Sequence, residues 1–270
     1  MDLDDLKQRV SDDIDRRADR LVAISHSIHE HPELNFEEHH AHDLLCDEID
    51  AAGLAAERRA FGLDTAFRAT AGAAGLDVAL CLEYDALPGI GHACGHNIIA
   101  AAGLGAGLAT AAVADECGGR LSILGTPAEE GGGGKVFMIR EGAFEGIDAA
   151  LMVHPAGAEL RDMTTLAVQQ CIATYRGAAA HAAAAPHEGR NALDAAVLGY
   201  NAVAALRQHI RPTERVHGVF TDGGDKPNIV PARAETHWFI RSPSAAGLDA
   251  LKARVEACLA SGAAATGCEL

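Results

Sequence analysis

Within residues 76–85, LDVALCLEYD, the unbroken apolar run VALCL leads directly into two acidic side chains, Glu83 and Asp85. A strand that is apolar on both faces belongs inside a parallel sheet that helices cover, because only that setting buries both faces. The apolar pattern of residues 98–114 then predicts a buried helix, and RLSILGTP predicts another strand. This alternation predicts an α/β fold with a largely parallel sheet.

Further patterns flank this core. Apolar residues at helical spacing predict a long amphipathic helix over residues 2–30. Asn35 and Glu38 have the spacing of a capping box that would open a second helix ending at Gly53. After RLSILGTP, a short helix is expected from about Lys135, followed by the strand AALMVHP.

The pattern changes from about residue 168. The segments VQQCIATYRG, ERVHGVFTDGG and ARAETHWFIRS predict strands, two long apolar-faced segments predict helices, and a final strand is expected at GCEL. The order strand–helix–strand–strand–helix–strand is that of a ferredoxin-like sandwich. We therefore predict an α/β domain over residues 1–166 and an α+β domain over residues 167–270.

Chemically capable side chains follow three successive strands of the predicted α/β domain. In open α/β sheets, sites form beyond the carboxyl ends of the strands, so these tips are expected to share one site. The candidates are Glu83, Asp85, Cys94, His96, Glu129, Glu130 and His154.

Each candidate alone also has a purely structural explanation. Cys94 could be an inert buried thiol, His96 a helix cap and His154 a loop histidine. Among chemical explanations, EEGGGGKV fails as a phosphate loop, because Glu129 stands where the first glycine belongs. A nucleophilic Cys94–His96 pair conflicts with the surrounding acids, since a thiolate needs a positive environment.

A divalent metal ion would reconcile these residues, because a cation neutralises carboxylates and accepts thiolate and imidazole ligands. Mixed ligation by cysteine, histidine and glutamate favours zinc, with manganese or cobalt as alternatives. Adjacent side chains of an extended segment diverge, so one of Glu129 and Glu130 could bind metal while the other faces the substrate water.

The overall composition excludes several other classes. With 22 basic and 38 acidic residues, the formal charge of −16 is unsuited to nucleic acid or anionic membranes. Seven cysteines without a paired framework favour a reducing, cytoplasmic compartment. The N-terminus lacks the pattern of a signal peptide, and residues 98–114 are better explained as a core helix than as a membrane span.

Five motifs together make the sequence resemble a known family. They occur in the order DALPGIGHACGHN, GTPAEEGGGGK, MVHP, AHAAAAPHEGRNALDA and NIVPARAE. The family is the dinuclear metallopeptidases and amidohydrolases, which includes aminoacylase, aminobenzoyl-glutamate hydrolases, auxin-conjugate amidohydrolases and a β-alanyl-lysine-type dipeptidase. The resemblance implies a metallopeptidase catalytic domain followed by a ferredoxin-like lid and dimerisation domain.

The resemblance also implies roles for individual residues. Two divalent ions would be held by Cys94, His96, Glu130 and His154, with Glu129 as the general base and Asp85 as a supporting carboxylate. In the lid, His181 and Asn228 would bind the substrate, and the lid would form a homodimer. The implied reaction is cleavage of an amide bond in a dipeptide or N-acyl amino acid, of the aminobenzoyl-glutamate or β-alanyl type. The alternative is a non-catalytic metal-binding or dimerising fragment of such an enzyme.

Length is where the sequence departs from the family. Its members usually have nearly 400 residues, and their chain returns from the lid to complete the catalytic sheet and add one histidine ligand. The 270 residues stop where the lid should close, so we expect an incomplete catalytic domain and little activity.

Overall fold

A computed structural model describes residues 2–161, 163 and 165–270 of the chain. The chain divides into two compact units, one ending at Glu159 and one beginning at Leu160. Within the described residues, no helix is both long and apolar enough to cross a membrane. All seven cysteines are free thiols.

Helices and strands alternate in the first unit. Its helices are α1 (Leu3–Glu30), α2 (His39–Ala51), α3 (His96–Ala111), α4 (Ala114–Cys117) and α5 (Gly134–Arg140). Its strands are β1 (Glu57–Arg58), β2 (Phe67–Ala71), β3 (Asp77–Leu82), β4 (Arg120–Gly125) and β5 (Ala149–Leu151).

Helix α1 is long and begins where its sequence predicts. The Asp2 side chain caps it by accepting a hydrogen bond from the backbone N–H of Asp4, and acidic residues in the first turn suit the helix dipole. Helix α2 begins differently from the prediction. Glu38 makes no capping bond there; instead, the Glu33 carboxylate accepts from the N–H groups of His40 and Ala41. The predicted Asn35–Glu38 capping box is therefore wrong.

The sheet of the first unit has the order β1-β2-β4-β3-β5. Strand β3 pairs in parallel with both β4 and β5, as the apolar run predicts. Strand β2 pairs antiparallel with β4 and β1 antiparallel with β2, so the sheet is mixed rather than largely parallel. The reason is local: only residues 72–76 join β2 to β3, and a parallel strand requires a crossover of a dozen residues or more.

Helices α1, α2 and α3 cover one face of this sheet. Their apolar stripes bury Ile24, Ile28, Leu45, Ile49 and Leu104 against the sheet residues Phe67, Leu82 and Ile123. A smaller cluster packs Met138 of α5 against Ala79 and Leu124. The sheet is therefore held between helices, and the carboxyl ends of its parallel strands stay open at one edge.

The second unit contains a three-stranded sheet and two long helices. Its elements are β6 (Ala167–Arg176), α6 (Ala192–Leu206), β7 (Arg215–Asp222), β8 (Arg233–Ser242) and α7 (Ala245–Thr266). The antiparallel sheet has the order β6-β8-β7, and Glu269 exchanges two backbone hydrogen bonds of 2.8 Å with Arg176 on the free edge of β6. The five elements have the predicted ferredoxin-like order, whereas the final strand expected at GCEL is present only as an isolated bridge beside the first strand. Its own core surrounds Trp238 and Tyr175.

Candidate metal centre

The adjacent parallel strands β5, β3 and β4 end at the same edge of the sheet. Glu83 and Asp85 follow β3, Glu129 and Glu130 lie in the loop after β4, and His154 follows β5. The loop after Asp85 leads into α3, whose first residue is His96. The structure therefore brings the three predicted strand tips together.

His96 is at the centre of the group. Its side chain is 1% exposed, and its Nε2 atom faces three carboxylate oxygens. The distances are 3.6 Å to Glu83 Oε2, 3.7 Å to Glu130 Oε1 and 3.9 Å to Glu129 Oε2. Possible ligand atoms of Glu83, His96 and His154 lie within 4.8 Å of one another, as do those of His96, Glu129 and Glu130.

The imidazole rings of His96 and His154 are each oriented by a hydrogen bond that their Nδ1 atom donates. His96 Nδ1 donates to Asp85 Oδ1 at 2.9 Å, and His154 Nδ1 donates to the backbone oxygen of Pro155 at 2.7 Å. In the neutral form each ring then has its lone pair on Nε2. Metal-binding histidines are usually held in this way, with the other ring nitrogen donating to a carboxylate or a carbonyl.

The residues fit a divalent cation on two independent grounds. His96 Nε2 and Glu83 Oε2 are buried without a hydrogen-bond partner, which is costly for polar atoms unless a ligand satisfies them. The spacing also fits, because ligand atoms about 2.1 Å from a tetrahedral metal are about 3.4 Å apart, close to the distances around His96 Nε2. A small inward movement of these side chains would bring their ligand atoms within bonding distance of one ion.

The two neighbouring glutamates differ in exposure. The side chain of Glu129 is 48% exposed, whereas that of Glu130 is 19% exposed and its backbone N–H is tied to Asp85 Oδ2 at 2.9 Å. Partial burial, with the nearby charges of Glu83 and Glu130, raises the pKa of Glu129 above its usual value. Glu129 therefore has the access and the proton affinity that a general base requires.

Cys94 lies beside Glu130 and belongs to neither of the two ligand groups among the described residues. A hydrogen bond to Glu130, followed by burial and the neighbouring negative charges, raises the pKa of the thiol to about 11. The thiol is therefore protonated at neutral pH in this environment, which argues against the cysteine–histidine nucleophile.

Glu83 is one of the predicted strand-tip candidates, but the resemblance assigns it no role, and Lys135 is not among the candidates. Glu83 is 2% exposed, and one of its oxygens forms an ion pair with the ammonium group of Lys135 in the first turn of α5. Its position agrees with the sequence: Glu83 stands two positions before Asp85, and alternation in an extended segment places both side chains on the same side.

A cleft of about 530 Å³ lies beside the group and is lined by Cys94, His154 and His92, among other residues. His92 is 8% exposed, and both of its ring nitrogens lack a hydrogen-bond partner in the described part of the chain. Burial and the neighbouring His96 and His29 lower the pKa of His92, so its ring is neutral. The cleft is large enough for a small-molecule substrate.

The two predicted lid residues are neighbours within the second unit. The backbone N–H of Ala182 donates to the Asn228 carbonyl oxygen at 3.1 Å, and His181 is bridged to Ile229. Both side chains are exposed. His181 Nδ1 accepts hydrogen bonds from the N–H groups of Ala183 and Ala184, which leaves the proton on Nε2 as a donor.

Comparison with known proteins supports the same family. Residues 168–266 match the peptidase dimerisation domain of the M20 family. The chain is 45% identical to an Xaa-Arg dipeptidase of Mus musculus, covering 99% of this chain and 65% of the relative. It is 38% identical to a p-aminobenzoyl-glutamate hydrolase chain of Escherichia coli, covering 94% of this chain and 57% of the relative. The chain therefore spans less than two thirds of the length of these relatives.

Two solved structures share its fold. An aminobenzoyl-glutamate utilization protein from Klebsiella pneumoniae superposes with a TM-score of 0.73 at 21% identity, over 97% of this chain and 76% of the other. A dinuclear metal-binding peptidase of the M20 family from Bacillus subtilis gives 0.65 at 19% identity, over 93% and 71%. In its motifs, its ferredoxin-like unit and these relatives, the chain is similar to the dipeptidases and amidohydrolases of the M20 family, and residues 168–266 match the dimerisation domain of these peptidases.

Proposed function

We propose that this protein is a metal-dependent hydrolase that cleaves the amide bond of a dipeptide or an N-acyl amino acid. The observation that carries the proposal is the arrangement around His96, where a buried imidazole nitrogen without a partner faces three carboxylate oxygens. One of these three carboxylates, that of Glu129, is more exposed than the others and lies at the edge of the group.

The proposed cofactors are two divalent metal ions, zinc in the first place, with manganese or cobalt as alternatives. His96, Glu130, His154 and Cys94 would hold them. Bound there, such ions supply Lewis acidity toward water and toward a substrate carbonyl.

Glu129 is the proposed general base. It would accept a proton from the attacking water and deliver that proton to the leaving amine. Asp85 would keep His96 and Glu130 in place without contacting the substrate.

His181 and Asn228 are the proposed substrate-binding residues of the second unit. The Nε2–H of His181 can donate to a substrate carbonyl, and the Asn228 amide can bind a carbonyl or carboxylate. We further propose a homodimer formed through this unit, because it matches a peptidase dimerisation domain. Seven free thiols support action in the reducing cytoplasm.

The substrate panel follows from the relatives and, for the β-alanyl dipeptide, from the resemblance of the sequence motifs. It contains a dipeptide with C-terminal arginine, a β-alanyl dipeptide and p-aminobenzoyl-glutamate, each assayed with zinc, manganese or cobalt and with a chelator. We expect slow, metal-dependent hydrolysis of at least one of them, in keeping with the little activity predicted from the sequence. Metal uptake without hydrolysis of any amide would instead identify a metal-binding protein without catalytic function.

Glu129→Gln separates the two neighbouring glutamates. The variant should retain metal, because Glu129 is proposed to act on water, and turnover should fall about a hundredfold or more. Elemental analysis and initial rates on the best substrate measure the two effects. Glu130→Ala is the matched comparison and should lose metal together with activity. Loss of metal from Glu129→Gln would show that the roles of the two glutamates are exchanged.

A further inference from the structure

The candidate metal centre contains an internal cation, the ammonium group of Lys135. Four carboxylates, those of Glu83, Asp85, Glu129 and Glu130, are gathered around His96. Lys135 forms an ion pair with one of them, Glu83. The carboxylate is 3% exposed and the lysine side chain 29% exposed, so the pair bridges the buried centre and the surface.

We propose that Glu83 is an additional metal-binding carboxylate and that Lys135 competes with the metal ion for it. In the absence of metal, Lys135 compensates the charge of Glu83. When a divalent ion binds, it takes over that compensation, and the lysine is released toward solvent. This inference rests on the proposed metal centre and adds a residue pair that sets its affinity.

The two oxygens of Glu83 have different environments. Oε1 receives the hydrogen bond of Lys135, whereas Oε2 is buried without a partner and lies 3.6 Å from His96 Nε2, which also lacks one. A possible ligand atom of His154 lies within 4.8 Å of both. A buried charged oxygen without a partner is unfavourable, and a cation shared with the two histidines would satisfy it.

The place of Lys135 is set by the backbone before it. The chain turns at Gly133, whose φ is +68°, and α5 begins at Gly134. Lys135 is thereby placed beside the metal centre, and its flexible stem can carry the ammonium group outward. Because the lysine and a metal ion satisfy the same carboxylate, each favours the state in which the other is absent.

Substitutions that keep the side-chain shape test both halves of the inference. Glu83→Gln removes the charged ligand and should weaken manganese binding about 10–100-fold, the scale for residues that support a metal site. Lys135→Met removes the competitor and should strengthen manganese binding several-fold. In the presence of a chelator, Lys135→Met should unfold at a lower temperature than the wild type, because Glu83 is then buried without a cation.

The experiment is manganese titration by calorimetry on the full chain, with elemental analysis of the bound metal and thermal unfolding with and without chelator. Glu214→Gln and Lys252→Met are matched controls in the second unit. Glu214 is likewise buried, at 6% exposed, and Lys252 is 33% exposed and ion-paired with a glutamate. Neither control should change manganese affinity.

Lys135→Arg keeps the charge and serves as a second test in case Lys135→Met does not fold without metal. It should bind manganese within a few-fold of the wild type. Wild-type affinity in Glu83→Gln would overturn the ligand role of Glu83. Weaker or unchanged binding in a folded Lys135→Met, or tighter binding in Lys135→Arg, would overturn the competition. A wild-type chain that takes up no metal at all would instead refute the proposed function.

Discussion

Asp85 connects two parts of the candidate metal centre through a single buried carboxylate. Its Oδ1 accepts from His96 Nδ1 and its Oδ2 from the backbone N–H of Glu130, both at 2.9 Å. Burial alone would raise the pKa of Asp85, but these hydrogen bonds outweigh burial and hold it below the usual value. The carboxylate therefore stays charged at neutral pH and fixes both neighbours.

Asp85→Asn should weaken metal binding about 10–100-fold. An amide offers one oxygen where the carboxylate offers two, so it cannot accept from His96 and from Glu130 with the same geometry. Elemental analysis after dialysis against buffered metal measures the loss. Asp115→Asn is the control, because Asp115 accepts a backbone hydrogen bond from Ala73 at an exposed position. Equal metal content in both variants would contradict the role given to Asp85.

Glu38 is a second buried carboxylate, at 0% exposed, and its role is in the scaffold. Its two oxygens accept from the hydroxyl of Thr65 and from the backbone N–H of Ala128, each at 2.8 Å. It thereby ties the start of α2 to the loop after β4. Burial raises the pKa of Glu38 above its usual value despite these hydrogen bonds.

The raised pKa of Glu38 predicts a pH-dependent contribution to stability. Between the unfolded and the folded pKa, the folded protein binds more protons than the unfolded chain. The contribution is therefore fully present below the unfolded pKa of glutamate, about 4.3, and is lost as the pH rises through the higher folded pKa.

Urea unfolding across this range, with chelator present, should show the effect as a difference from Glu38→Gln. The amide does not titrate, so the free energy of unfolding of the wild type minus that of Glu38→Gln should fall with rising pH. Two curves that stay parallel over the whole range would show that Glu38 titrates alike in both states.

At the scale of elements, the loop between β4 and α5 decides where the two site glutamates lie. The backbone is left-handed at Ala128 and Gly133, with φ of +58° and +68°. It returns so closely on itself that a Cβ atom at Gly134 would lie 2.0 Å from the backbone oxygen of Pro127. This close approach between backbone segments holds Glu129 and Glu130 at the sheet edge.

Gly134→Ala should therefore destabilise the protein by about 1–3 kcal/mol, the usual range for overpacking, and should also weaken metal binding. Chemical denaturation and manganese titration measure the two effects. Gly119→Ala is the control, because Gly119 immediately precedes β4. There the nearest atom to the added carbon is the Leu76 oxygen at 3.5 Å, so the change should stay within about 0.5 kcal/mol. Equal stability of the two variants would refute the close-approach argument.

At the scale of the whole molecule, each unit carries its own core and its own part of the proposed chemistry. The candidate metal centre lies in the first unit, whereas His181 and Asn228 lie in the second. Each core consists of residues of one unit, with Leu104 and Ile123 in the first and Trp238 and Leu259 in the second. The proposed dimer allows a direct test of whether His181 acts within its own chain or on the metal centre of the partner chain.

Mixing two inactive variants tests this arrangement. Glu129→Gln lacks the proposed base, and His181→Ala lacks the proposed lid donor. If the lid acts on the partner chain, a mixed dimer contains one intact site. An equal mixture should then recover roughly a quarter of the wild-type activity, because half of the dimers are mixed and each has one of two sites intact. No recovery in mixed dimers verified by mass would place the action of His181 within its own chain.

Local patterns in the sequence predict most of the fold of each unit. The apolar run of β3 predicts a strand with parallel neighbours on both sides, and the polar tips after β3, β4 and β5 meet because parallel strands end at one edge. The ferredoxin-like order of the second unit was equally readable, because its helical and strand periods are long and regular. These features depend on short-range periodicity, which a sequence displays directly.

Local patterns do not show which groups face one another, because that depends on the packing of distant segments. Strand β2 runs antiparallel to β3 because the five residues between them are too few for the crossover that a parallel strand requires. Helix α2 is capped by Glu33 rather than by Asn35 or Glu38. Likewise, the pairing of Glu83 with Lys135 joins positions 52 residues apart. Such contacts depend on how distant segments pack. Several acidic residues lie near His96 along the chain, and the sequence does not specify which of their carboxylates faces His96 without a hydrogen-bond partner.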